Sequence, residues 1–508
     1  MAKPLFRKIL IANRSEIAVR VIHACRTLGI PTVAVYSEAD RQSKHRLLAD
    51  ESVCIGPPPP NESYLNIDAI IAAAKETGAE AIHPGYGFLA ENVTFPERCE
   101  TEGLTFIGPP SDAMRLMGNK VAARVKMSEA GVPLIPGMKS AGNDLEEFTR
   151  VAEEIGYPVL IKAAAGGGGK GMRVVAEPAG LSEAIDAARR EAGGAFGDDT
   201  VYLEKYIANP RHVEFQVLAD THGNCVHLFE RECSIQRRHQ KIIEETPSVA
   251  LDDDLRARMG GDAVKVAQAA GYVNAGTVEF LLDESGHYYF LEMNTRIQVE
   301  HPITELVTGV DLVVEQIRIA AGLPLSKSAQ EARQHGHAIE CRIYAEDGEN
   351  NFLPSSGTIL HYTEPSGPGI RVDSGVLKDS DITINYDPIM AKLIVHAPDR
   401  ETAIARMIEA LKEYKILGVK TSRRFMIDVL SHPAFREGKT FTNFIDRHMQ
   451  TRTEADASVS RAALAAAAVA SVDTPGNISV GTGTAGESIP TPWDALGPWR
   501  IGGTIDVS

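Results

Sequence analysis

The sequence predicts a mixed α/β protein of about three domains, and three observations carry that prediction. At 508 residues the chain exceeds what one core ordinarily holds, and common domain sizes then give about three units. Residues 8 to 36 read as strand, turn, helix and strand, a βαβ unit of a parallel sheet. From residue 157 onward a strand, a glycine loop and further strands with polar residues at alternate positions follow, one pair of them with a hairpin signal, within an α/β segment. Composition agrees, since 44% hydrophobic and 24% charged residues are the proportions of an ordinary globular chain. A formal charge of −16 argues against a nucleic-acid surface spread over the molecule, because such surfaces neutralise many phosphates with Lys and Arg. The six cysteines (Cys25, Cys54, Cys99, Cys225, Cys233 and Cys341) are scattered without a C-x-x-C pair. Neither a disulfide framework nor a zinc cluster is expected, and a reducing compartment fits. Met1 to Lys8 leads straight into a strand-like segment without a secretory apolar region, and no apolar run approaches the roughly 18 residues that span a bilayer. The expected location is the cytoplasm, with no membrane contact.

The elements follow in order. Ile9-Leu10-Ile11-Ala12 forms the first strand, Ser15-Glu16 opens a helix, Gly29 stops it, and Thr32-Val33-Ala34-Val35 resumes the sheet. The turn after the first strand, Ala12 to Ile17, has no glycine, which disfavours a dinucleotide cofactor there. A second turn, His83 to Asn92, follows apolar Ala81-Ile82 and is either a sharp structural turn or a ligand loop at a strand end. Val121 to Ala130 reads as a helix, Gly131-Val132-Pro133 as a turn, and Tyr157 to Lys162 as a strand, with further α/β sequence to about residue 450. After Arg452 the composition shifts to Ala, Ser, Thr and Gly, as in a flexible or weakly helical linker. Both tryptophans, Trp493 and Trp499, fall in the last sixteen residues, where they suggest a docking patch or the opening of a further segment.

Chemistry concentrates in four places. The loop Lys162 to Met172 contains Gly166-Gly167-Gly168-Gly169 between two strand-like runs, with Lys162 and Lys170 beside it. Backbone N–H groups freed by such glycines suit a polyphosphate, although a flexible turn would look the same, and the spacing is not that of a P-loop. Two β-rich runs flank Ser285-Gly286, and a two-residue hairpin loop there sets Glu284 against His287 and Glu279 directly across from Glu292. Cross-strand carboxylates about 5 Å apart destabilise a sheet unless something positive intervenes. A divalent cation held by Glu279, Glu292 and the Asn294 oxygen resolves this, as Mg²⁺ or Mn²⁺ would, whereas a solvated polar face with a different register needs none. If the chain stays extended beyond Glu292, then Asn294, Arg296, Gln298 and Glu300 share its face up to Pro302, and Arg296 could hold an anion while Glu300 takes a proton. An exposed edge strand has the same period. Finally, the alternating strand His212 to Val217 precedes a basic stretch, Gln236 to Lys241, which is a solvated face or an anion site.

These segments, with Ile9 to Ala18 and Met117-Gly118-Asn119-Lys120, resemble biotin carboxylases, the free bacterial subunit and the matching domain of acyl-CoA and pyruvate carboxylases, from about Lys3 to residue 450. Glu292 to Pro302 is the most specific of them. The resemblance implies an ATP-grasp core (117–335) whose glycine-loop lid spans about 134–205. An open parallel α/β domain (1–116) precedes it, and an α+β domain (336–450) and a tail (451–508) follow. It implies that ATP is bound by Lys120, Lys162, Gly167, Gly168, Gly169, Glu204, Lys205, His212, Gln236, His239 and Leu281, together with Glu279 and Glu292. Two Mg²⁺ or Mn²⁺ ions would lie on Glu279, Glu292 and Asn294. Bicarbonate would sit on Lys241, Arg296, Gln298 and Val299, Glu300 would be the base, and Arg342 would stabilise the biotin enolate beside Tyr86 and Gly87.

Ala165 and Lys170 depart from the family's glycine loop, which bears on lid motion. No Ala-Met-Lys-Met turn for biotin attachment occurs, so the implied partners are a separate biotin carboxyl carrier protein and carboxyltransferase subunits, with the chain itself a homodimer. Trp493 to Arg500 looks like the start of the connecting domain of fused carboxylase subunits. Two other readings compete: a different ATP-grasp ligase of carbamoyl phosphate synthetase type, and a non-catalytic nucleotide-binding subunit. The first lacks the His83 to Asn92 turn and Arg342, and the second has no reason to keep Glu300, Arg296 and every metal ligand.

Overall fold

Five short strands build the first layer: β1 (Ile9–Ile11), β2 (Thr32–Ser37), β3 (Glu51–Gly56), β4 (Ala81–His83) and β5 (Thr105–Phe106). They pair in parallel in the order β3-β2-β1-β4-β5. β1, β2 and β4 are buried throughout, as strands covered on both faces must be. Helix α1 (Ser15–Thr27) follows β1, and Gly29 just beyond it takes a left-handed φ of +67°. The strand order reverses beside β1, and open sheets of this kind leave a ligand crevice at that point, outside the carboxyl ends. Asn13 ties the two crevice loops together, its Nδ2 donating to Pro84 O at 2.7 Å and Tyr86 O at 2.8 Å. Only glycine fits at residue 85, where φ is +63° and a Cβ would lie 2.9 Å from that amide nitrogen.

The structure is a computed structural model and describes residues 5–449 apart from 139–141, 143, 165–171, 239 and 349. The expected phosphate-loop residues Gly167, Gly168 and Gly169, the expected ligand His239, and the tail with Trp493 and Trp499 therefore lie outside the described residues. Among the described residues, no helix is long and apolar enough to cross a membrane.

Helix α2 (Lys120–Glu129) begins at Asn119, whose side-chain oxygen accepts from the Ala122 N–H at 3.0 Å. A small antiparallel sheet follows, made of β6 (Val159–Ala163), β7 (Arg173–Val175) and β8 (Val201–Lys205) in the order β7-β6-β8. Helix α3 (Leu181–Phe196) covers it, packing Leu181 and Ile185 against Val159, Ile161 and Leu203.

The third layer is an eight-stranded antiparallel sheet. Its elements in chain order are β9 (Arg211–Ala219), β10 (Cys225–Arg237), β11 (Gln240–Thr246), α4 (Asp253–Ala269), β12 (Asn274–Leu282), β13 (Tyr288–Asn294), α5 (His301–Thr308), β14 (His337–Tyr344), β15 (Ile370–Ser374), β16 (Ile389–Ala397) and α6 (Arg400–Glu413). The strand order is β13-β12-β9-β10-β11-β14-β16-β15. Period-two alternation divides β9 cleanly: Val213, Phe215 and Val217 pack under Met259 and Val266 of α4, which leaves His212, Glu214 and Gln216 on the other face. At the far end α6 packs Met407 and Leu411 over Ile339, Cys341 and Leu393.

Two sequence expectations need correction. The β12–β13 loop is not the two residues Ser285-Gly286. Asp283 N–H donates to His287 O at 2.9 Å, so Asp283 rather than Glu284 faces His287, and Gly286 takes φ +84° in a three-residue loop. That shift would by itself set Glu279 opposite Leu291, but a bulge between the Phe280↔Phe290 and Glu279↔Glu292 pairs restores the predicted partner. Nor does the chain stay extended to Pro302. β13 ends at Asn294, residues 295–300 bend and turn, and Pro302 occupies the first turn of α5.

Candidate active site

The crevice of the first sheet, the small sheet and the polar face of the large sheet enclose a cavity of about 1050 Å³. A row of directly paired residues crosses four strands under it, Arg231 on β10, Glu214 on β9, Glu279 on β12 and Glu292 on β13, of which Glu279 and Glu292 line the cavity. Beside it runs a second row, Gln216, Thr277 and Asn294. Three carboxylates side by side are tolerable only with cations among them.

Lys241 supplies the central one. The β10–β11 hairpin pairs Arg237 with Gln240 and Gln236 with Lys241, which turns Lys241 inward. Its Nζ donates to Glu214 Oε2 at 2.5 Å, Glu300 Oε1 at 2.7 Å and Glu279 Oε1 at 2.8 Å. Burial works against its charge, yet these carboxylates hold its pKa well above the ordinary lysine value. Glu279 also accepts from Asn294 Nδ2 at 2.8 Å and Gln298 Nε2 at 2.9 Å, and its Oε2 stands 2.9 Å from His212 Nε2. Burial would raise this carboxyl, but Lys241 and His212 keep it well below the carboxylate range. Glu300 is gripped on both oxygens, Oε1 by Lys241 and Oε2 by Arg342 Nη2 at 3.0 Å. It too is buried and nonetheless depressed, by Lys241, Arg342 and Arg231.

Glu292 differs. Among the described residues it forms no ion pair, and burial together with the neighbouring Glu279 charge pushes its pKa up. An under-neutralised carboxylate paired with another, with the Asn294 amide adjoining, is an oxygen-rich set of the kind Mg²⁺ takes, so Glu279, Glu292 and Asn294 fit a divalent cation. The tighter grouping of His212, Glu214 and Glu279 already has the Lys241 ammonium on both of its carboxylates.

Every described residue expected in the site lines this cavity. Lys120, Lys162, Glu204, Lys205, His212, Gln236 and Leu281 lie in it with Glu279, Glu292 and Asn294, and so do Lys241, Arg296, Gln298, Val299, Glu300, Arg342, Tyr86 and Gly87. Lys162 Nζ reaches Glu204 Oε2 at 3.1 Å, and Arg124 Nη1 holds the other oxygen at 2.5 Å. The Lys205 ammonium turns away to the carbonyls of Gly156 and Tyr157, at 2.9 and 3.2 Å. Arg296 Nε pairs with Glu91 of the second turn at 3.1 Å, and its Nη2 donates to Asn294 Oδ1 at 3.0 Å. Sequence reasoning missed Glu214, Glu91, Arg124 and Arg231. Glu214 carried a signal in its two-residue spacing from His212 on one strand, and Glu91 in its place within the His83 to Asn92 turn.

Three family models match in order: "Biotin carboxylase, N-terminal domain" over residues 5–114, "Carbamoyl-phosphate synthase L chain, ATP binding domain" over 119–328, and "Biotin carboxylase C-terminal domain" over 340–447. A biotin carboxylase of Nostoc sp. is 55% identical over 440 residues, 87% of this chain and 98% of that protein. The chain belongs to the biotin carboxylase family. The ATP-binding segment alone is shared with carbamoyl-phosphate synthase, and the two flanking domains decide between the readings. Relatives in this family include the methylcrotonoyl-CoA carboxylase subunit alpha of Dictyostelium discoideum, 48% identical over 98% of this chain and 71% of its own length. Among solved biotin carboxylase structures, the Campylobacter jejuni enzyme in a β-γ-ATP complex superposes with a TM-score of 0.84, at 48% identity, over 87% of this chain and 99% of that one. The biotin carboxylase domain dimer of Hydrogenobacter thermophilus 2-oxoglutarate carboxylase, solved with MgADP, ADP and bicarbonate, gives the same TM-score at 50% identity over 88% and 99%.

Proposed function

We propose that this chain carboxylates biotin at the expense of ATP and bicarbonate, and that the grip of Lys241 and Arg342 on the two oxygens of Glu300 is the observation that carries this reading. In that grip Glu300 is ionised but weakly basic. Bicarbonate seated among Lys241, Arg296, the Gln298 amide and Val299 draws the same cations toward itself, and Glu300 then becomes a competent base for the bicarbonate proton. The bicarbonate oxygen attacks the γ-phosphorus of ATP, which forms a C–O–P linkage and expels ADP. Carboxyphosphate collapses to CO₂ and phosphate, the phosphate removes the ureido proton of biotin, and the nitrogen adds to CO₂. Arg342 holds the enolate oxygen formed in between, beside Tyr86 and Gly87. Lys120, Lys162, Glu204, Lys205, His212, Gln236 and Leu281 hold the nucleotide. Glu279, Glu292 and Asn294 would hold two Mg²⁺ ions, which shield the phosphate charge when bound.

Biotin arrives on a separate carrier protein, and carboxyltransferase subunits take the product onward. The chain works in the cytoplasm as a homodimer. The test is ADP release by the purified protein with Mg²⁺. Hydrolysis should require bicarbonate and accelerate with free biotin, and turnover indifferent to bicarbonate would reject the proposal.

A further inference from the structure

Arg231 is a cation that the cavity does not expose. It sits in mid-β10, is fully buried, and takes no part in lining the cavity. A guanidinium has five N–H bonds and no acceptor. All five are used: Nε donates to Glu214 Oε1 at 2.6 Å, Nη1 to Gln216 Oε1 at 2.8 Å and Thr304 Oγ1 at 3.0 Å, and Nη2 to Thr277 Oγ1 at 3.2 Å and Gln298 Oε1 at 2.6 Å. One of these partners, Gln298, lines the cavity, and another, buried Glu214, touches a lysine that does. Gln298 Nε2 faces Glu279 Oε1 at 2.9 Å, and Glu214 Oε2 takes Lys241 at 2.5 Å.

An amide presents either its oxygen or its NH₂ to a neighbour, and the two ends are nearly equal in shape. A donor-only partner removes that freedom, because Arg231 accepts nothing and Gln298 must therefore turn its oxygen inward. Its NH₂ is then the end that meets the cavity, which is the end an anion needs. The same fork takes one oxygen of Glu214 and leaves the other for Lys241. We propose that Arg231 is a positioning residue for the bicarbonate step: it fixes the donor end of Gln298 toward the anion and aims Lys241 through Glu214. This rests on the reading above that Gln298 and Lys241 seat bicarbonate.

The test compares Arg231→Lys, Gln298→Ala and their double variant in bicarbonate-dependent ADP release, with KM taken separately for bicarbonate and ATP and folding checked by thermal melting. Arg231→Lys keeps the charge and loses the fork. It should raise the bicarbonate KM about 10-fold or more while the ATP KM moves less than about 2-fold, and the increase should shrink in the Gln298→Ala background to the part carried through Glu214 and Lys241. Thr304→Val removes one acceptor of the guanidinium and leaves the cation, and it guards against a lysine variant that fails to fold. An increase in bicarbonate KM of about 3-fold is expected from it. Independent, multiplying effects of Arg231→Lys and Gln298→Ala would overturn the positioning role and leave the function intact, as would equal changes in both KM values or an inert Thr304→Val. A normal bicarbonate KM in Gln298→Ala alone would instead remove the assignment of Gln298, and this proposal with it.

Discussion

Arg342 Nη2 lies 3.0 Å from Glu300 Oε2, while Arg342 Nε holds Glu244 Oε1 at 2.6 Å, so one guanidinium is shared between a cavity carboxylate and one buried beneath it. Burial and then Arg342, Glu300 and Lys241 shape Glu244, whose pKa stands raised to about 7. Arg342 is thus anchored at one edge and free to exchange partners at the other. Glu300→Gln should lower bicarbonate-dependent ADP release about 100-fold or more, with nucleotide affinity changed less than about 3-fold by titration calorimetry. Retained turnover would remove Glu300 from the role of base.

Glu292 predicts an opposite pair of effects. In metal-free protein, Glu292→Gln should leave the melting temperature unchanged or higher, since it removes a half-buried charge beside Glu279. The Mg²⁺ concentration for half-maximal turnover should rise about 10-fold or more. A lower melting temperature without metal would mean that Glu292 has a neutralising partner after all.

Asn13 joins the two crevice loops through the carbonyls of Pro84 and Tyr86. Asn13→Ala leaves those acceptors buried, at a cost of about 1–3 kcal/mol by denaturant titration. Because Tyr86 follows directly, the KM for free biotin should rise several-fold while the KM for ATP holds. A variant with normal biotin KM would separate this tie from the biotin side of the cavity.

Two buried histidines predict a pH dependence. His45 accepts the Ser15 N–H at Nδ1 and faces Val35 O with Nε2, and His83 accepts the Gly85 N–H at Nδ1 and faces Gln316 Oε1 with Nε2. Each is therefore a neutral tautomer, and burial above all lowers both pKa values from 6.5 to about 4. A base with a depressed folded pKa contributes stability that is complete above 6.5 and lost as pH falls toward 4, because the unfolded chain binds the proton first. The loss is on the order of 3 kcal/mol per histidine at most, at about 1.4 kcal/mol per pH unit. His45→Gln and His83→Gln should each flatten the melting-temperature slope between pH 6.5 and 4, and an unchanged slope in both would refute the assignment.

Much of the site was legible because period-two alternation is a local property. His212, Glu279, Glu292 and Asn294 fall on the faces their spacing gives, and β12 and β13 pair where the hydrophobic runs place them. The Glu279–Glu292 pairing was reached through a wrong loop and an unforeseen bulge that cancel, since one extra residue in a turn and one in a strand leave the same sum. The extended run past Asn294 failed because α5 needs its first turn at Pro302, yet Arg296, Gln298 and Glu300 still reach the cavity from a bent chain. A solvated basic stretch suits Arg238, which is exposed, but not Lys241, which the hairpin register turns into the cavity. Arg231 gave no signal at all, because its five partners come from β9, β12, α5 and the segment between them, a convergence only the folded chain brings about.

The bulge at Leu291 separates the hairpin tip from the acid pair, and Phe290 N–H is pinned to Pro133 O at 2.8 Å just outside it. Along the strand, a change at Glu284 and Ser285, both exposed, meets that pin before it reaches the acid pair. The tip is accordingly a place where the polypeptide could be opened to new ends or threaded with a reporter peptide while the ligand spacing inside stays as it is.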